Sequence, residues 1–397
     1  MRSMVSSSRL TGPSSIHFLN LFVAGLYLHI PFCRQACHYC NFHFSTSLRY
    51  KDDMVEAMAV ELAQEAPYLQ KEPLQTIYFG GGTPSLLDDA EAARLFEAIH
   101  RHYTISPGAE ITLEANPDDI TVARVTAWKA LGVNRLSIGT QSFFEDELRW
   151  MNRAHTAAHA KDCINLSLAA GIDNLSIDLI YGSPLLSDEG WRQNVETALA
   201  FGIPHLSCYA LTVEEKTPLH KHVATKRSLP TDDEKQARQF LLLMDWMQEA
   251  GYEHYEVSNF AKPGFRSRHN SAYWKGEPYL GIGPSAHSFN GRERRWNVAN
   301  NAQYIAGITD GTAARETEQL TASNRLNEAL MIGLRTSEGL DLAKLEADWG
   351  EAERKRLERA LRGFIEAGLV RLFPDHAQLT KEGMLRADGI AAALFVG

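Results

Sequence analysis

The chain has 397 residues, of which 44% are hydrophobic and 22% are charged, a composition typical of a globular protein rather than a disordered one. A formal net charge of −9 argues against a general nucleic-acid binder, and five cysteines, three of them in one loop, do not form the disulfide framework of a secreted protein. No run of about 18 consecutive apolar residues occurs, so we predict no membrane span.

Residues 1–23 precede the first predicted strand. They are rich in serine and lead into an apolar stretch, Phe18–Leu28, that has the look of a secretion signal. However, the sequence from Gly25 to Ile30 runs directly into a cysteine loop and is interpreted as a buried strand. We therefore expect residues 1–23 to be a disordered or artefactual extension.

Six short β-rich runs follow in chain order, and amphipathic stretches separate them. This alternation predicts βα units and a parallel sheet, whose strands are buried on both faces and so appear as continuous apolar runs. The predicted strands are Leu26–Ile30, Thr76–Phe79, Ile111–Ala115, Arg135–Ile138, Leu175–Ile180 and His205–Tyr209. The predicted helices are Tyr50–Ala66, Asp89–His102, Thr121–Leu131, Ala157–Ala170 and Trp191–Phe201.

Polar or special residues accompany the carboxyl end of every predicted strand. They are the cysteine loop, Gly80–Pro84, Glu114–Pro117, Gly139–Ser142, Asp178 with Tyr181-Gly182, and Tyr209-Ala210. Barrel enzymes build their sites from these ends. Six contributions to one rim fit a partial (β/α)6 barrel better than the crevice of an open, doubly wound α/β sheet.

After about residue 215 the pattern changes. A long helix, Asp232–Ala250, precedes an extended segment, Glu253–Phe260. From about Thr321 we predict three helices and a hairpin of Leu369–Phe373 and Ala377–Thr380, which together resemble a winged-helix module. The expected division is a barrel at 24–215, a barrel extension and mouth at 216–310, and a C-terminal helical domain at 311–397.

The basic helix Glu351–Arg362 in this last region has two interpretations. It carries five arginines and lysines together with Glu353 and Glu358. We interpret it as a solvated, ion-paired face rather than a DNA-binding helix, and expect no nucleic-acid partner.

The cysteine loop gives the strongest chemical signal. Cys33, Cys37 and Cys40 are spaced C-x3-C-x2-C, which suits a [4Fe–4S] cluster with one iron left without a protein ligand. Zinc is the alternative, but a structural zinc site wants a fourth nearby ligand, and His38 lies between two cysteines and is expected to point away. Cys163 and Cys208 lie in apolar segments and are predicted to be buried thiols. An exposed cluster favours a reducing compartment, so we expect a cytoplasmic protein.

Several motifs together resemble one family. They are Tyr27-Leu-His-Ile-Pro-Phe-Cys, Cys37-His-Tyr-Cys-Asn-Phe, Phe79-Gly-Gly-Gly-Thr-Pro-Ser, Ser137-Ile-Gly-Thr-Gln-Ser-Phe, Asn152-Arg-Ala-His and Asp178-Leu-Ile-Tyr-Gly. Over about Gly25 to Ile390, the chain resembles radical S-adenosylmethionine (SAM) proteins. Within these it is similar to the relatives of oxygen-independent coproporphyrinogen III oxidase, and in particular to HemW-type haem chaperones.

The resemblance implies a [4Fe–4S] cluster whose open iron is chelated by SAM and whose electron cleaves SAM. Glu114 is an acceptor suited to an ammonium group or a ribose hydroxyl, Arg153 can meet a carboxylate bidentately, and Gly80–Gly82 allow close backbone approach. Each also has a structural interpretation: an acceptor at a helix start, an ion pair or a tight turn. The positions that match SAM contacts in the family are Tyr27, Gly82, Thr83, Glu114, Gln141, Arg153, Asp178, Ala210 and His287.

Two features bear on the branch of the family. The pattern of the oxidase branch resembles C-x3-C-x2-C-x-C, and Phe42 occupies the position of its last cysteine here. Residues 1–23 also differ from the N-terminal stretch of that branch. The segment Arg268–Trp274 contains H-N-x-x-Y-W, which resembles the haem-binding signature of the chaperone branch. It implies His269 as an axial iron ligand, Tyr273 and Trp274 as porphyrin-facing rings, and Arg268 or Arg266 near a propionate. The alternative is a packing motif that closes the barrel mouth.

The leading prediction is therefore a haem chaperone that delivers haem to haem proteins. The alternative is an oxygen-independent coproporphyrinogen III oxidase that decarboxylates porphyrinogen propionates to vinyls. A third possibility is an adaptor that works through the winged module, and a homodimer is left open.

Overall fold

The computed structural model describes residues 24–312 and 315–397. The predicted extension at residues 1–23 lies outside this part of the chain. Within it, none of the helices combines the length and the apolar character needed to span a bilayer.

The described residues alternate strands and helices from the first strand onward. All six predicted parallel strands and all five predicted helices between them are confirmed, with ends that differ by up to six residues. In chain order the elements are β1 Ala24–Ile30, α1 Lys51–Glu65, β2 Leu74–Gly81, α2 Asp89–His102, β3 Ile105–Ala115, α3 Val122–Ala130, β4 Arg135–Gln141, α4 Glu145–Trp150, α5 Ala157–Ala169, β5 Leu175–Tyr181, α6 Asp188–Ala200, β6 His205–Ala210, α7 Pro218–Ala224, α8 Asp233–Glu249, β7 Glu253–Glu256, β8 Asn259–Ala261, α9 Arg268–Trp274, β9 Tyr279–Ile282, β10 His287–Phe289, β11 Glu293–Asn297, α10 Asn301–Thr309, β12 Arg315–Gln319, α11 Ala322–Leu334, β13 Leu340–Asp341, α12 Leu342–Trp349, α13 Glu351–Glu366, β14 Val370–Leu372, β15 His376–Leu379, α14 Lys381–Met384 and α15 Ala387–Leu394.

The main sheet has twelve strands in the order β12-β11-β10-β9-β1-β2-β3-β4-β5-β6-β8-β7. Strands β1 to β6 are consecutive neighbours and parallel, which confirms the predicted (β/α)6 unit. Strand β9 pairs parallel with β1, and the remaining outer strands are antiparallel. Because β7 and β12 remain at opposite ends of the strand order, the barrel is partial.

The two faces of the parallel strands differ in polarity. Outward residues such as Leu28, Phe79 and Ile138 are buried against the surrounding helices in one apolar core. The inward positions are polar, as Arg135 and His205 show, and both are buried. The prediction of continuous apolar strands is therefore wrong, because the inner face of this barrel binds polar groups while only the outer face packs on helices.

A buried carboxylate attaches the strands beyond β1 to the first helix. Glu61 on α1 is 1% exposed and accepts hydrogen bonds from Gly283 N (2.8 Å), Asn297 Nδ2 (2.8 Å) and the Tyr304 hydroxyl. Arg315 on β12 completes the group with an Nη2–Oε1 contact of 3.0 Å. One side chain thus ties α1 to the ends of β9 and β11, to α10 and to β12.

The C-terminal module has the order α11, β13, α12, α13, β14, β15, and its small sheet is β13-β15-β14. The predicted three helices and hairpin are confirmed, and β13 is an additional strand of only two residues. On α13, Arg354, Lys355 and Arg356 all form ion pairs with glutamates. The segment 335–337 hydrogen-bonds to β7 and to Val257 next to it.

Replacing Glu61 tests the buried network. Glu61→Ala should lower the free energy of unfolding by about 3–5 kcal/mol, because Arg315 and the Gly283 amide lose their buried partner. Urea unfolding measures the effect. Glu56→Ala, on the exposed side of the same helix and 3.6 Å from Arg94, is the matched control and should cost less than about 0.5 kcal/mol. Equal small losses in both variants would contradict the assignment.

Candidate functional site

The cysteine loop after β1 is held by hydrogen bonds along its whole length. Cys33 N donates to Ser45 O (3.0 Å) and His38 N donates to Met151 O (3.0 Å). Asn152, in a left-handed conformation with φ of 58°, donates from Nδ2 to Ala36 O (2.7 Å). The ring of His38 bonds Trp150 O, so it points away from the cysteines as expected. The loop is fixed before any cofactor binds.

A chain of side-chain donors, which we call the donor arc, joins two of the thiols. It consists of Thr83, Asn116 and Arg153. Arg153 donates to Cys37 Sγ (3.1 Å) and to Asn116 Oδ1 (2.7 Å). Asn116 Nδ2 donates to the Thr83 hydroxyl (3.3 Å), which donates to Cys33 Sγ (3.4 Å). Both ends of the arc present N–H or O–H groups to sulfur, which suits thiolates.

The cysteines are half-buried, and burial raises the pKa of the Cys33 thiol to about 11. The thiol would therefore remain protonated at neutral pH without a metal. A bound metal centre deprotonates its thiol ligands.

The fit of a metal centre can be judged from these sulfurs. In the described residues, no three His, Cys, Asp or Glu side chains converge on one point able to hold a single ion. A single zinc ion must be bound by all of the thiolates together, whereas each thiolate of a [4Fe–4S] cluster binds a different iron. The loop therefore fits a cluster better than zinc.

Two buried carboxyl groups near the rim, Glu114 and Asp178, are close enough to influence each other electrostatically. Burial, with a smaller contribution from the nearby Asp178, raises the pKa of Glu114 to about 7, against a hydrogen bond from the Tyr78 hydroxyl to Glu114 Oε1 (2.8 Å). Burial likewise raises the pKa of Asp178 to about 6, against a hydrogen bond from Ser207. Such a pair is ready to accept a cationic group.

Backbone strain and close approach mark the ends of β2 and β4. Gln141 is 8% exposed and has a φ of 65°, a conformation that is uncommon for non-glycine residues. A Cβ on Gly82 would lie 2.7 Å from Phe32 O, so only glycine fits there. The Gly82 amide already donates to Ile30 O (2.9 Å) and is thus used within the protein.

A cavity of 1690 Å³ lies inside the partial barrel and against the C-terminal module. Its walls include Gly81 and Glu114 at the cysteine end and Gln75 and Thr76 at the other. Since Gln75 and Gly81 are six residues apart on β2, the cavity runs about 20 Å along the barrel. Its volume exceeds the usual range for small-molecule sites of about 300–1,000 Å³, so it can hold a large ligand or two ligands.

The predicted SAM positions fall into three sets. Tyr27, Glu114 and His287 line the cavity. Thr83 and Arg153 belong to the donor arc. The others, Gly82, Gln141, Asp178 and Ala210, lie on strands β4 to β6 or just after β2, at the same rim.

The predicted haem motif lies on α9, at the opposite end from the cysteines. His269 N donates to Glu110 Oε1 (3.0 Å), and Arg268 Nη1 donates to Gly108 O (2.7 Å). Because Glu110 pairs with Thr76 at the start of β2, α9 packs on the amino ends of the strands. The motif thus lies at the end of the barrel opposite the rim that carries the cysteine loop. Tyr273 and Trp274 do line the cavity.

Sequence reasoning gave no role to several residues that build this site. Asn116 and Asn152 stand inside quoted motifs, but their contacts join elements more than 30 residues apart. Tyr78 and Arg135 occupy inward positions on β2 and β4. An Asn in the short connection between α4 and α5 was the available signal for Asn152, because Asn tolerates the left-handed region.

A parallel half-barrel with three cysteines in the loop after its first strand defines a radical SAM protein. Consistently, a model of the radical SAM superfamily matches residues 27–198, and a model of the HemN C-terminal domain matches residues 320–386. The solved coproporphyrinogen III oxidase HemN of Escherichia coli, described as a radical SAM enzyme, has the same fold. Its TM-score is 0.83 at 23% identity, over 94% of this chain and 90% of that chain.

Curated relatives narrow the class further. The haem chaperone HemW of Mycobacterium tuberculosis is 36% identical over 93% of this chain and 94% of the relative. The HemW proteins of Bacillus subtilis and Escherichia coli are 31% and 33% identical; they cover 94% and 91% of this chain, and the matches span 98% and 95% of the relatives. The chain belongs to the HemW family.

Glu114→Gln tests the electrostatics of the rim. The folded protein holds the Glu114 proton up to a pH of about 7, whereas an unfolded Glu releases it near pH 4.3, so this carboxyl lowers the free energy of unfolding as pH rises between these values. The variant should be more stable than wild type by about 1–3 kcal/mol at pH 8 and nearly equal to it at about pH 4. Urea unfolding across this range measures it. Glu97→Gln, on an exposed helix face, should show no such trend, and a pH-independent difference for Glu114→Gln would contradict the assignment.

Proposed function

We propose that this chain is a haem chaperone: it binds haem in the barrel cavity and passes it to haem-accepting proteins. The observation that carries the proposal is the 1690 Å³ cavity, whose walls include Tyr273, Trp274, Tyr279 and Phe289. Flat aromatic faces suit a porphyrin, and the cavity is large enough for one. The HemW relatives, which match over nearly their whole lengths and bear the name haem chaperone, support the same function.

In this proposal, Cys33, Cys37 and Cys40 hold a [4Fe–4S] cluster and the rim holds SAM. The cluster supplies one-electron reduction when it is bound. The donor arc orients hydrogen bonds toward two of the sulfurs. The Arg153 Nε is buried without a partner in the described residues and is a spare donor for the SAM carboxylate, while Glu114 is the acceptor for its ammonium group.

The oxidase alternative finds less support. Phe42 occupies the position at which the oxidase pattern has a further cysteine. This residue is 68% exposed and lies on the cavity wall. A phenyl group neither binds iron nor moves a proton. The fold shared with the oxidase is equally compatible with both functions.

The function is tested by haem titration of the anaerobically reconstituted full chain beside a coproporphyrinogen turnover assay with SAM and a reductant. We expect one haem per chain, transfer of that haem to an apo-haem protein, and no vinyl product. Vinyl product that depends on SAM and is lost in Cys37→Ala would instead establish the oxidase. Absence of haem binding by the reconstituted wild type would refute the chaperone.

A substitution in the donor arc tests the cluster assignment separately. Arg153→Met keeps an unbranched, flexible stem but removes the N–H groups that reach Cys37 and Asn116. We expect weaker retention of the cluster by about 10–100-fold, because partners that orient metal ligands contribute that much. Iron and sulfide content during chelator challenge measures it. Arg149→Met, an exposed arginine on the preceding helix, should retain wild-type iron, and loss in both variants would contradict a specific role.

A further inference from the structure

The histidines near the cavity differ in how their ring nitrogens are used. His269 bonds Thr76 Oγ1 through Nδ1 (2.8 Å) and the Tyr273 hydroxyl through Nε2 (2.8 Å). Its ring is 2% exposed and stacks on Tyr78 with centroids 4.9 Å apart. Both nitrogens that could ligate iron are therefore occupied, and the ring is enclosed.

His29 and His43 also line the cavity, and they are engaged as well. His29 bonds the Tyr27 hydroxyl through Nδ1 (3.2 Å) and His43 O through Nε2 (2.9 Å). His43 Nε2 bonds Asn301 Oδ1 (2.7 Å). Iron could bind the His29 ring only after one of its hydrogen bonds broke, whereas the His43 ring is anchored to Asn301 through Nε2 alone.

His287 differs from all three. It lies on β10, lines the cavity and is exposed, and no hydrogen bond to its ring is present within residues 24–312 and 315–397. Trp296 stacks on it, with ring centroids 5.9 Å apart and planes inclined by 25°, so one face is supported while the edge remains accessible. Desolvation by the cavity walls and the neighbouring Arg294 lower the pKa of His287, which favours the neutral imidazole that binds iron.

The surroundings of His287 suit a porphyrin dianion with propionates. Phe289 follows it on β10, and Tyr279 is paired with Phe289 in the sheet. Arg294 lies over Phe289 and is held by Glu328 at 2.7 Å. Arg325 and Lys344, from the C-terminal module, line the same cavity. Aromatic faces and cations therefore line the same cavity as one accessible imidazole.

We propose that His287, rather than His269 of the H-N-x-x-Y-W motif, is the axial ligand of the haem iron, and that His269 is a positioning residue that fixes α9 and the Tyr273 ring. This inference rests on the proposed haem-binding function. The proposal places the iron ligand on β10, at the same height in the sheet as Tyr27 on β1. The aromatic residues of α9 then form a wall of the cavity.

The test is haem titration of the reconstituted full chain, followed by the Soret band, in wild type, His287→Ala, His287→Met, His269→Ala and the control His376→Ala. His376 is an exposed histidine of the C-terminal hairpin. His287→Ala should weaken haem binding by about tenfold or more and shift the band, and added imidazole should restore it. His287→Met should bind haem with a raised reduction potential, because a thioether replaces an imidazole. His269→Ala should keep the wild-type band while lowering thermal stability.

The outcomes separate the ligand assignment from the function. If wild type binds no haem, the proposed function itself fails. If wild type binds haem but His287→Ala and His287→Met keep its band and affinity, haem binding stands and the ligand assignment is overturned. A band shift in His269→Ala alone also overturns it. Loss of SAM binding in His287→Ala with haem binding intact overturns it as well and makes His287 a SAM contact.

Discussion

The buried guanidinium of Arg153 is the constraint on which the rim of the barrel depends. It reaches the cysteine loop at Cys37, the segment after β3 at Asn116 and the end of β4 at Gly139. A buried cation is costly unless anions or well-placed acceptors surround it. Three segments that are distant in the sequence must therefore pack around this group, and this packing fixes the positions of the sulfur atoms.

The rest of the barrel follows from the contrast between its two faces. The outer face is apolar and carries the packing energy of the sheet against its helices, while the inner face is polar and buried. Polar interior groups such as Ser176 and His205 hydrogen-bond to each other, at 2.7 Å. The inner face can therefore specialise in binding without weakening the core that holds the strands in register.

Most of the fold was predictable from the sequence because its signals are local. The six strands, the cysteine spacing and the C-terminal helices each depend on short patterns that survive in the structure. The donor arc was not predictable, because its members come from different elements. The position of α9 could not be predicted either, because the pattern H-N-x-x-Y-W does not indicate the end of the barrel against which the helix packs. Strand β13 has two residues, too few for any periodicity.

The hydrogen bonds between the C-terminal module and β7 bear on edge-to-edge association of the sheet. An incomplete barrel leaves two outermost strands, each able to recruit a strand from another molecule. The sequence of β12, Arg-Glu-Thr-Glu-Gln, places three charged residues on one of them. On the other, Val257 N donates to Arg335 O and Ser337 N donates to Tyr255 O, at 3.1 and 3.0 Å. A chain without residues 335–337 would expose this backbone as a template for aggregation.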